Sequence, residues 1–98
     1  MQSKQANKQD LEALYSAFVH IKTTKEAYQF LEDLCTPMEL SVMADRWKVV
    51  KEIKKNKPYR QIYAQTGVSV TTVGRIARCI THGYGGYNLI YNRTISED

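Results

Sequence analysis

Gly67 places the tightest limit on what this chain can fold into. It interrupts an apolar pattern that repeats at helical spacing on both sides, within YRQIYAQTGVSVTTVGRIARCITH over residues 59–82. Glycine ends a helix in a left-handed conformation at no steric cost, so the stretch reads as two short helices joined by a tight turn. Val68 is expected to plug the crossing of the two helices. Ser69 is expected to cap the second, its hydroxyl accepting from a free backbone N–H. Val73, Ile76, Ala77 and Ile80 recur at spacings that share one buried face. Thr71, Thr72, Arg75, Arg78 and His82 fall on the opposite side. Hydroxyls near a helix N-terminus followed by arginines are what a helix reading the DNA major groove requires. Tyr63 stands where many such motifs carry a small residue, so it must lean out of the crossing or widen it. The plainer alternative is a helical hairpin whose basic face is merely solvated.

Charge is distributed in a way that favours the first of these. The net charge of the 98 residues is +4. Residues 1–45 carry four Lys against seven Asp or Glu, whereas residues 46–82 carry nine Lys or Arg against Glu52 alone. The positive charge therefore sits in and just before the two-helix motif, where phosphates would lie.

The rest of the chain reads as helix. Residues 1–8 are polar and expected to be disordered, leaving a single domain over 9–98. Leu11, Leu14, Tyr15, Phe18 and Ile21 mark a helix over about 9–21. Thr23 to Glu26 reads as a capping box that opens a second helix, which runs to about Cys35. Thr36, Pro37 and Glu39 open a third, which reaches about Lys55. Its apolar stripe is Leu40, Met43, Ala44, Trp47, Val50 and Ile53. Asn56-Lys57-Pro58 breaks the chain before the motif. Beyond His82, three glycines in four residues argue against a continued helix. A short helical turn over 87–92, or an apolar tail of Tyr84, Tyr87, Leu89, Ile90 and Tyr91 packed on the core or a partner, is expected instead; stacking of the tyrosines on bases is the less favoured reading. The fold class is all-α, with five to six helices. The apolar residues on the first two helices (Tyr15, Phe18, Val19, Tyr28, Phe30) exceed what one small core needs, so a homodimer is expected.

Several function classes find no support. There is no acid–base pair, nucleophile constellation or phosphate loop, so an enzyme is not expected. Cys35 and Cys79 lack paired spacing, and with His20 and His82 they make no metal pattern; both cysteines read as small buried hydrophobes. No apolar run is long enough for a membrane span, and MQSKQANKQD is not a signal peptide, so the protein is expected in the cytoplasm.

The segments LCTPMELSVMADRWKVVKEI and YRQIYAQTGVSVTTVGRIAR together resemble the tryptophan repressor superfamily, most closely its shorter TrpR-like YerC/YecD group. The resemblance spans about residues 10–82. It implies an all-helical homodimer with intertwined N-terminal helices, two reading heads and a repressor-like role. Thr36, Arg46 and Arg75 match positions that line the repressor's effector pocket, where the ligand's indole lies between the two arginines. The glycine after the second arginine is replaced here by Ile76, and the repressor's final helix is replaced by the Gly/Tyr tail. Tryptophan is accordingly not expected as a corepressor, and no other cofactor is implied. Arg46 is expected instead to form a structural ion pair with a carboxylate such as Asp33 or Asp45.

The expected partner is double-stranded DNA. Val70, Thr71, Thr72 and Arg75 are placed to reach base edges, and Lys54, Lys55, Lys57, Arg60 and Arg78 to hold phosphates. The alternative is a module that uses the same basic face for non-specific DNA or for an acidic protein partner.

Overall fold

The computed structural model describes residues 6–96 and folds them into six helices: α1 (Lys8–Val19), α2 (Thr24–Leu34), α3 (Pro37–Lys54), α4 (Tyr59–Thr66), α5 (Val70–His82) and α6 (Gly86–Ser96). No strand occurs among the described residues. The chain divides into two units, Met1–Pro37 and Met38–Asp98.

In the first unit, Asn7 caps α1, its side chain accepting from the amides of Gln9 and Asp10. The helix thus begins at Lys8 with Asn7 as its cap; most of the expected disordered stretch 1–8, residues 1–5, lies outside the described residues. Thr23 caps α2 by accepting from the Glu26 amide at 3.1 Å. Glu26 reaches back to the amide of Lys22 at 2.9 Å, one residue beyond the usual partner in a capping box. Phe18 and Phe30 meet edge to face at 5.6 Å. Even so, neither helix buries a residue fully.

The core lies in the second unit. It consists of Val49 and Val50 from α3, Ile62 from α4, and Val73 and Ile76 from α5. Trp47, Ile53, Val68, Ile80 and Tyr87 pack around it. α3 has 18 residues, about 27 Å at 1.5 Å per residue. Only its second half carries core residues: Val49 and Val50 are buried, while Met43 and Ala44, expected in the stripe, are exposed. Asn56, with φ 61°, ends α3 in the left-handed region, which asparagine tolerates better than most residues. Pro58 then stands at the N-cap position of α4.

α6 extends the expected helical turn over 87–92 into a helix of 11 residues. Glycines 83 and 85 form the turn that precedes it, with Gly85 at φ 86°, so only Gly86 enters the helix and it does so at the first position. The final helix that the sequence seemed to lack is present. Three contacts dock it: Tyr87 lies 6.5 Å from the Trp47 ring, the Asn88 amide donates to the Ile80 carbonyl at 2.9 Å, and the Lys54 ammonium donates to Asn88 Oδ1. Lys54 also sits 5.5 Å above the Tyr91 ring, a cation–π geometry.

Candidate nucleic-acid interface

The two-helix motif forms as its residues dictate. Gly67 adopts φ 77° and its amide closes α4 on the Tyr63 carbonyl. Thr66 braces the same turn, donating to the Ile62 carbonyl at 2.7 Å and accepting from the Val68 amide at 3.1 Å. Ser69 caps α5 by accepting from the Thr72 amide at 3.2 Å. Tyr63 leans out of the crossing and is 53% exposed, which lets α4 and α5 approach without a small residue there.

α5 presents two faces. Val73 and Ile76 are buried and Ala77 and Ile80 half-buried, whereas Thr71, Arg75, Arg78 and His82 are exposed. Val70 is exposed at the N-terminal end. Thr72 stands apart from the other expected base readers. It is half-buried, and its hydroxyl accepts from Ser69 Oγ at 3.0 Å, so its side chain belongs to the cap as much as to the outer face.

The five expected phosphate contacts divide in the same way. Arg60, Arg78 and Lys55 are exposed. Lys54 is half-buried and engaged with Asn88 and Tyr91. Lys57 is also half-buried, its ammonium 2.7 Å from Glu52 Oε2 and 3.2 Å from Gln65 Oε1. It therefore ties the end of α3 to α4.

Glu52 is the organising acid of this basic region. The Lys57 ammonium bonded to it holds its carboxyl below the ordinary value of 4.5; partial burial opposes this, and the positive charges of Lys55, Lys57 and Lys48 add to the lowering. A carboxyl lowered in the folded state contributes stability above its unfolded pKa, and that contribution is lost as pH falls through the folded value. Acid denaturation followed by circular dichroism should therefore show a gentler loss of stability below about pH 4.5 for Glu52→Gln than for the parent chain, with Glu52→Gln the less stable protein at neutral pH. Parallel acid limbs would remove Glu52 from this role.

Arg75 also helps line a cleft of about 270 Å³ with Arg46, Thr72, Ile76, Cys79 and Tyr87. The two arginines are thus brought to one cleft, while Thr36 belongs to the first unit. Ile76 is 4% exposed, with its side chain in the core. Tyr87 supplies a wall from α6 that sequence reasoning missed, because the glycines before it masked the helix. Arg46 forms no ion pair with Asp45: the described ion pairs are those of Glu52 with Lys55 and Lys57. Cys79 is exposed in this cleft, not buried as expected, and Cys35 is half-buried. Among the described residues, no group of three or more His, Cys, Asp or Glu could hold a metal ion, and no helix is long and apolar enough to cross a membrane.

The family described as Trp repressor protein matches residues 9–95. The uncharacterised protein YerC of Bacillus subtilis (strain 168) is 30% identical over 93 residues, covering 95% of this chain and 89% of its own. The crystal structure of a TrpR-like protein from Eubacterium eligens ATCC 27750 superposes with a TM-score of 0.82 at 33% identity, over 89% of this chain and 90% of that one. A candidate Trp repressor from Staphylococcus aureus also gives 0.82, at 32% identity, over 90% of this chain and 88% of that one.

Proposed function

Because the chain belongs to the Trp repressor family, we propose that it is a sequence-specific, DNA-binding transcriptional regulator, acting as a homodimeric repressor and not as an enzyme. The observation that carries this reading is the two-faced α5. One side is fixed to the core through Val73 and Ile76 while the other offers Thr71, Arg75 and Arg78 to solvent. A helix so held keeps its outer side chains in register with base edges. Val70, Thr71 and Arg75 read bases, with Thr72 setting the helix start. Lys55, Arg60 and Arg78 anchor phosphates, and Lys54 and Lys57 add charge from positions already tied into the fold. Two heads on a two-fold axis suit half-sites about 34 Å apart. Tryptophan is not assigned as corepressor, since Ile76 stands where the family carries a glycine.

The direct test is to recover genomic fragments bound by the purified protein at moderate salt and sequence them. Enrichment of a short inverted repeat is the expected result. Uniform recovery that fades with added salt would leave only phosphate binding and favour a non-specific DNA module. No recovery at any salt would favour an acidic protein partner on the same face. Arg75→Ala should then lose about 1–3 kcal/mol of discrimination at one base pair. Lys55→Ala should weaken all sequences alike and flatten the salt dependence. Unchanged sequence preference in Arg75→Ala would remove Arg75 from base reading.

A further inference from the structure

Gly74 lies in the middle of α5, where glycine is among the costliest residues for helix stability. Internal packing does not demand it. A Cβ built there would meet only Tyr59 Cε2, at 3.9 Å, an ordinary contact. The missing methyl instead leaves open a groove of about 390 Å³ lined by Tyr59, Gly74, Ala77, Arg78, Thr81 and His82. An internally unnecessary glycine beneath an open groove is understandable if something from outside must come close to the helix.

The lining indicates the chemistry of that visitor. Arg78 from α5 brings a permanent positive charge. His82 brings a ring that can donate a hydrogen bond to an anion. Its ring is oriented from within: Thr81 Oγ1 lies 2.7 Å from His82 Nδ1 and donates its own proton to the Arg78 carbonyl at 3.2 Å. Of the helices packed on α5, α4 contributes only Tyr59 to the lining and α6 contributes none. No carboxylate lines the groove.

We propose that this groove seats a backbone phosphate of bound DNA, held by Arg78 and His82 where Gly74 leaves the helix backbone open to close approach. The inference rests on the DNA-binding reading above and adds to it a phosphate site built on Gly74 and His82.

The test is fluorescence anisotropy of a mixed-sequence duplex against the whole protein over a range of salt. His82→Gln should bind severalfold more weakly than the parent, and Arg78→Gln should flatten the salt slope by about 0.9, the loss of one phosphate contact. His20→Gln should keep the parent's affinity. Gly74→Ala should melt at a higher temperature yet bind about tenfold more weakly, the equivalent of one charged hydrogen bond. A His82→Gln or a Gly74→Ala protein of full affinity would overturn the groove and leave the DNA-binding reading standing. Absence of duplex binding by the parent would overturn both.

Discussion

Ile62→Ala is expected to destabilise the second unit by about 2–5 kcal/mol, the largest effect of any single substitution considered. Ile62 is fully buried and is the one buried side chain on the eight residues of α4. Truncating it removes three methyl or methylene groups from a cluster of five core residues. Val49, Val50, Val73 and Ile76 come from two other helices, so their collapse onto the void would strain both. The cost is therefore transfer free energy plus an unfilled cavity. Urea titration followed by far-UV circular dichroism measures it. As a control, Tyr63→Ala at the neighbouring position should stay within about 0.5 kcal/mol of the parent, because Tyr63 is more than half exposed. A loss below about 1 kcal/mol in Ile62→Ala would mean that α4 docks by its turn hydrogen bonds and not by its core residue.

The turn and the two faces of α5 could be read in advance because each rests on chemistry confined to a few adjacent residues. Gly67 had to be left-handed, Ser69 had to find an amide, and Val73 and Ile76 had to share a side. The misreadings have the opposite character. Three glycines between 83 and 86 look like a broken helix when counted by composition, but two of them shape a turn and the third sits at a helix start. What stabilises α6 comes from distant residues, Trp47, Lys54 and Ile80, and no local pattern announces them. The stripe on α3 failed for a related reason. Helical periodicity gives a face but not the length over which a neighbour covers it, so Met43 and Ala44 have the right spacing and remain exposed. Lys54 shows the same limit in charge. A lysine near a basic motif invites a phosphate, yet this one is held by Asn88 and Tyr91.

Loss of the proposed dimerisation is expected to be the other large effect. α1 and α2 bury no residue, and they leave Val19 82%, Tyr28 64% and Tyr15 62% exposed. Apolar area of this kind gains about 25 cal/mol per Å² when removed from water, and a second copy is the partner proposed above. Val19→Gln combined with Tyr28→Gln removes apolar surface without altering net charge, so binding by each single head keeps its own counterion release. The parent is expected to sediment as a dimer at micromolar concentration and the double variant as a monomer. On a two-half-site duplex the variant should lose about 10²–10⁴ in affinity, the effective-concentration advantage of linked heads, while its affinity for an isolated half-site stays unchanged. A parent chain that is itself monomeric would remove the two-headed geometry and the half-site spacing with it. A dimeric double variant would move the interface off Val19 and Tyr28, and the exposed apolar residues of α6, Leu89 and Ile90, would be the next to test.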